Sequence, residues 1–184
     1  VLRRSFSAVC LAAVIARDNT THTLHPTTVL TWADRSVAWF LAERDLRGWI
    51  PGRGWVHAVA HGADVLGTLA ASRHIGTDEL RVLLDVVAER LLVPTEHRFA
   101  ASEDDRLALL HRDRVSVDTL EHWLERLSSI WADPVPPGLR EPAVRANGIA
   151  YARALHLQLL LGVTGTPAQD ATAGPALSPS CRPD

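Results

Sequence analysis

The chain has no lysine and no methionine, one tyrosine, and only two cysteines in 184 residues. All 19 of its basic residues are therefore arginine, a bias that goes with a GC-rich genome and points to no activity. Cys10 sits in an apolar run and Cys181 in a Pro- and Ser-rich end, so neither a disulfide framework nor a Cys-ligated zinc site is expected. A formal net charge of -2 removes any bulk attraction to nucleic acid or to anionic membrane, and neither is an expected partner. Nowhere does an apolar run reach the roughly 18 residues that span a bilayer. The opening Leu2 to Ile15 has the basic start and short apolar stretch of a signal peptide, but it ends in Arg17-Asp18 without a small-x-small cleavage site. A cytoplasmic location is the expectation.

What is present is ample apolar material: 47% hydrophobic against 22% charged residues, enough for one domain with a sizeable core. That domain is expected over 1–162, with 163–184, rich in Ala, Gly, Pro, Ser and Thr, as a disordered tail. Apolar periodicity predicts about seven helices, near 2–17, 28–46, 54–72, 78–92, 103–111, 117–131 and 142–161, and strands are hard to find. Thr77, Ser102 and Ser116 each precede acidic first turns and read as N-caps. Pro94 ends the fourth helix, Pro134, Pro136 and Pro137 separate the sixth from the seventh, and Gly162 caps the seventh. Short connections make successive helices antiparallel neighbours, grouped as 2–46, 54–92 and 103–131 with a closing helix. The first two hairpins start about 50 residues apart, near the spacing of HEAT-type pairs. The expected fold is all-α, a HEAT-like right-handed α-solenoid of antiparallel helix pairs; short loops fit a compact bundle as well.

One stretch, Gly52 to Asp64, carries the chemistry. If it is helical, His57, His61, Asp64 and Thr68 fall in one narrow sector at i, i+4, i+7 and i+11, with apolar side chains nearly all round the rest. Such a stripe lines a groove or an internal pocket. Two imidazoles one turn apart can share a metal ion, whereas Asp64 lies about 10.5 Å along the axis from His57 and suits the orientation of His61 better than ligation. A third ligand has to come from Glu43, Asp45, His97 or Asp105. Ala58 stands where a zincin needs its glutamate, so a metallopeptidase is excluded.

Arg4-Ser5-Phe6-Ser7, Glu43 to Trp49, Trp55-Val56-His57 running to His61-Gly62-Ala63-Asp64, and Glu103 to Ala108 together resemble a bacterial family, domain of unknown function 2785, over residues 1 to about 131. The Trp-x-His-x-x-x-His-Gly-Ala-Asp core is the specific part of the resemblance. Members place Arg-Ser-Phe-Ser inside the domain, which implies that one or more leading helices are missing here. The resemblance implies no activity.

Three readings of the stripe follow. In the first, a groove lined by Trp49, Trp55, His57, His61 and Asp64 holds a peptide or small ligand, as concave helical-repeat surfaces do. In the second, His57 and His61 hold a divalent metal (zinc, or iron, manganese or nickel) with Glu43 or Asp105 as a further ligand, and a metal-bound water acts in a hydrolase-type reaction. In the third, His and Asp hydrogen-bond the backbone of the preceding loop, 47–54, and the role is purely structural or one of assembly with a protein partner. Glu43 and Arg47 read as a helix-end ion pair, Arg106 as pairing locally, and Trp49 and Trp55 as packing anchors or pocket walls.

Overall fold

In the computed structural model, residues 1–108, 115–128 and 142–164 are described. They form seven helices and one small hairpin: α1 (Leu2–Thr21), α2 (Pro26–Ala42), β1 (Trp49–Ile50), β2 (Gly54–Trp55), α3 (Ala58–Ala70), α4 (Thr77–Leu92), α5 (Glu103–Ala108), α6 (Val117–Leu127) and α7 (Ala143–Thr164). The chain is thus all-α in class. Of the expected tail, 163 and 164 continue α7; 165–184 and the prolines at 134, 136 and 137 lie outside the described residues.

Local chemistry sets the boundaries. Proline at the first position starts α2 two residues before the predicted point, with the His25 ring accepting the Thr27 N–H at 3.4 Å. The same helix stops at Ala42 and not at 46, because the Glu43 carboxylate accepts the Arg44 and Asp45 N–H groups, each at 3.1 Å, and turns the chain. Ser116 caps α6 as expected, accepting the Thr119 N–H at 3.2 Å. Thr77 does not cap α4 but begins it, since Gly76 is the flanking residue and gives its N–H to Glu79 at 2.9 Å. Gly162 lies inside α7, which continues to Thr164.

The largest correction concerns the predicted helix 54–72. Pro51 and Gly52 (φ 73°) occupy the centre of a turn closed by the Arg53 N–H on the Ile50 carbonyl at 3.0 Å, the arrangement of a type II turn. Trp49 then pairs with Trp55 and Ile50 with Gly54 in an antiparallel ladder. His57 flanks α3 in the left-handed region at φ 40°, ψ 44°, so the helix begins only at Ala58.

Helix α3 is the hub. Its residues Val59, Ala63, Leu66 and Leu69 are buried, and it packs on α1, α2, α4 and α5. Odd-numbered helices follow one another in space, α1 on α3, α3 on α5 and α5 on α7, while α2 packs on α4 and α4 on α6. Consecutive helices are therefore not the tightest neighbours, contrary to the hairpin grouping: α1 and α2 hardly touch, because each leans its apolar face on α3. Gly62 makes this approach possible, since a Cβ there would stand 2.2 Å from the buried Phe40 ring. Alanine favours a helix over glycine by about 1 kcal/mol, yet a clash with a packed ring costs about 1–3 kcal/mol. Gly62→Ala is therefore expected to lower the urea unfolding midpoint; an unchanged or raised midpoint contradicts the close packing of α2 on α3.

Candidate functional site

The site is assembled where the start of α3 meets the start of α1 and the hairpin. The Gly48 carbonyl accepts the N–H groups of Val56 (2.7 Å) and His57 (3.4 Å), which pins the hairpin to the helix entry. From there a continuous run of rings crosses the surface. Trp49 meets Trp55 edge-on at 5.2 Å between centroids, Trp55 meets His57 at 4.3 Å, His57 lies 5.9 Å from His61, and His61 meets Phe6 of α1 at 5.3 Å. Trp49, Trp55 and Phe6 stay 55%, 51% and 49% exposed, while the two imidazoles between them are half-buried.

Behind the rings, buried Ser5 fixes His61. The Ser5 hydroxyl donates to the Val56 carbonyl and lies 2.6 Å from His61 Nδ1. A hydroxyl has one proton and a carbonyl has none to give, so Nδ1 carries the hydrogen and Ser5 Oγ accepts it. His61 Nε2 is left as a lone-pair acceptor. Burial holds the His61 pKa below its ordinary 6.5, helped by the charges of His57 and Arg106 and opposed by that of Asp64. The imidazole is accordingly neutral at physiological pH.

Of the five groove residues predicted from sequence, Trp49, Trp55, His57 and His61 stand in the ring run, but not along one helical stripe. His57 enters from the left-handed corner before α3, and Asp64 turns away to Arg106 of α5, with Oδ2 at 2.6 Å from its guanidinium. Arg106 thus bridges helices and does not pair locally. None of His57, His61 or Asp64 donates to or accepts from the 47–54 backbone through its side chain among the described residues; the loop is held by its own ladder and by main-chain bonds to Gly48. Glu43, offered as a metal ligand, gives its two oxygens to Arg4 Nε (2.8 Å) and Nη2 (3.0 Å), and this pairing holds its carboxyl below the usual range. Arg47 pairs with Asp45 at 2.6 Å and not with Glu43. Asp105 stays exposed in the first turn of α5. His97 lies in the loop before α5, where its carbonyl accepts from Asn147. Among the described residues no group of three or more His, Cys, Asp or Glu side chains converges as a metal site, and no helix is long and apolar enough to cross a membrane.

Ser5 and Phe6 were missed as site residues, although both stand in the Arg-Ser-Phe-Ser stretch. Their relation to His61 spans 56 positions in sequence, and no periodicity reports such a contact. Glu103 was read as a helix-dipole acid and is instead buried, accepting the Ala100 and Ala101 N–H groups at 3.2 and 2.8 Å just below Gly48.

Among the described residues the architecture is that of a helical protein with an exposed run of aromatic rings. The model of a protein family of unknown function, DUF2785, matches residues 1–157, and the chain belongs to that family. No curated protein and no solved structure matches.

The tautomer and the shift can be read directly. In a 15N-detected titration, His61 is expected to show a protonated Nδ1 and a bare Nε2 at neutral pH, and to titrate below 6.5. Asp64→Asn removes the principal influence that raises the pKa and is expected to lower it further. Because the folded state favours neutral His61, the unfolded chain binds more protons below 6.5, so this residue's contribution to stability is present at neutral pH and lost as pH falls towards its folded pKa. An apparent pKa above 6.5, or a proton on Nε2, contradicts the arrangement.

Proposed function

We propose that this is a non-catalytic binding protein of helical-repeat build, whose recognition surface is the ring run Trp49, Trp55, His57, His61 and Phe6. The succession of α1 on α3, α3 on α5 and α5 on α7, with α2 packed on both α3 and α4 and α4 on both α6 and α7, supports a HEAT-like stack. The observation that carries the binding reading is the pair of half-exposed tryptophans held by a turn and a ladder beside a fixed imidazole acceptor. Exposed indoles that a rigid backbone orients lose little freedom on contact and bring large contact areas. Such a surface suits a peptide or small molecule with a flat apolar face and an N–H or O–H donor for His61 Nε2.

A divalent metal on His57 and His61 is the second reading. It is favoured by the ring separation of 5.9 Å and the bare Nε2, and opposed by the commitment of Glu43 to Arg4 and of Asp64 to Arg106. A hydrolase needs at least one more ligand to hold the ion.

The test is a calorimetric and fluorescence titration with N-acetylated dipeptide amides and methyl glycosides as probes. At least one probe is expected to bind saturably, with affinity falling tenfold or more, about 1.4 kcal/mol, in Trp55→Ala and in a Trp49→Ala variant. The unfolding midpoint is expected to move little, since both rings are half exposed. If no probe binds and both variants are strongly destabilised, the rings are packing anchors and the binding reading fails.

A further inference from the structure

A second site lies on another side of α3. Because α1 and α2 hardly touch, a cleft of about 300 Å3 opens between them, at the small end of the ligand-pocket range. Val65 of α3 is at its floor, and Ala8, Leu11 and Trp39 give it apolar walls. Arg3 from α1 and Arg35 from α2 line it as well.

Charge is what marks this cleft. Arg4 lines the cleft too but is paired with Glu43, as Arg47 is with Asp45, Arg81 with Asp78, Arg106 with Asp64, and Arg126 with Asp85 and Glu89. Arg3 and Arg35 have no acidic partner among the described residues. Ser36, more than nine-tenths buried, contributes to the cleft wall. A guanidinium presents a fork that fits a carboxylate.

We propose that the α1/α2 cleft binds a small anionic amphiphile, a carboxylate carried on an acyl chain, with the chain against Leu11, Trp39 and Val65 and the carboxylate met by Arg3 or Arg35 and by Ser36. Apolar walls alone would accept any hydrophobe; the two free cations select the anion. This cleft shares no residue with the ring run, so either site can exist without the other.

Calorimetry with octanoate, below its micelle concentration and on the full chain, tests it. Octanoate is expected to bind saturably, octanol at least tenfold more weakly, and Arg3→Ala/Arg35→Ala to weaken octanoate at least tenfold. Both arginines are exposed, and circular dichroism checks that the variant is folded. Arg3→Lys/Arg35→Lys, which keeps the charge, is expected to retain part of the affinity, and Trp55→Ala to leave octanoate binding unchanged. The proposal is overturned if octanol binds as well as octanoate, if the alanine variant binds octanoate normally, if no octanoate binds, or if only phosphatidylglycerol vesicles bind while free octanoate does not.

Discussion

The constraint on which the structure depends is that α3 has to be approached closely from several sides at once. Small residues meet that demand: Ala58, Ala60, Gly62 and Ala63 are all buried, and at Gly62 the Phe40 ring occupies the volume a side chain would fill. Packing at native density leaves no room to trade these positions for larger ones. The consequence reaches the surface. Since α1 and α2 both settle on α3 in preference to each other, the start of α1 is carried to the start of α3, which brings Ser5 and Phe6 to His61.

That juxtaposition governs the chemistry of the site. A histidine in water samples both tautomers and titrates near neutrality. Here the Val56 carbonyl takes the Ser5 proton, Ser5 takes the His61 Nδ1 proton, and burial disfavours the imidazolium. One bare nitrogen in a ring that lies between Phe6 and His57 is an acceptor set among other rings, the feature on which the proposed recognition rests. Asp64 reinforces this. Its bond to Arg106 draws the carboxylate towards α5, away from the role of orienting His61.

Helix content was legible in the sequence because it rests on local signals: serine before α6 and the apolar periodicity of α3 and α4. The region before α3 was misread for a reason equally local. Trp55, Val56 and His57 fit a helical period, which carries the predicted helix back to 54, directly after the 47–54 loop. What overrides the periodicity is Gly54 at φ 85° and His57 at φ 40°, conformations fixed by the ladder and by the bonds to Gly48. His57 and His61 could be placed together from the sequence because residue type and approximate spacing survive this error; a one-turn displacement of the helix start still leaves His57 beside His61. Their partners could not. Ser5 is joined to His61 and Arg106 to Asp64 by contacts across 56 and 42 positions, which only tertiary packing sets.

The absence of lysine, read first as a mark of the genome, also has a mechanical side. Four of the cross-helix links are guanidinium links: Arg4 of α1 to Glu43 after α2, Arg90 of α4 to the Glu43 carbonyl at 3.1 Å, Arg106 of α5 to Asp64 of α3, and Arg126 of α6 to Asp85 and Glu89 of α4. The pairs nearest the surface contribute little to stability, but a planar fork with several fixed donors defines the orientation of the elements it joins better than an ammonium does. Glu43 shows the use of this most clearly. Its side chain ends α2 and holds Arg4, its carbonyl holds Arg90, and Arg90 lies over the Phe40 ring at 4.8 Å, the same ring that packs against Gly62. One residue therefore ties the end of α2 to the start of α1 and to the core contact of α3. The alignment of Ser5 with His61 follows from that tie as much as from the hydrogen bond itself.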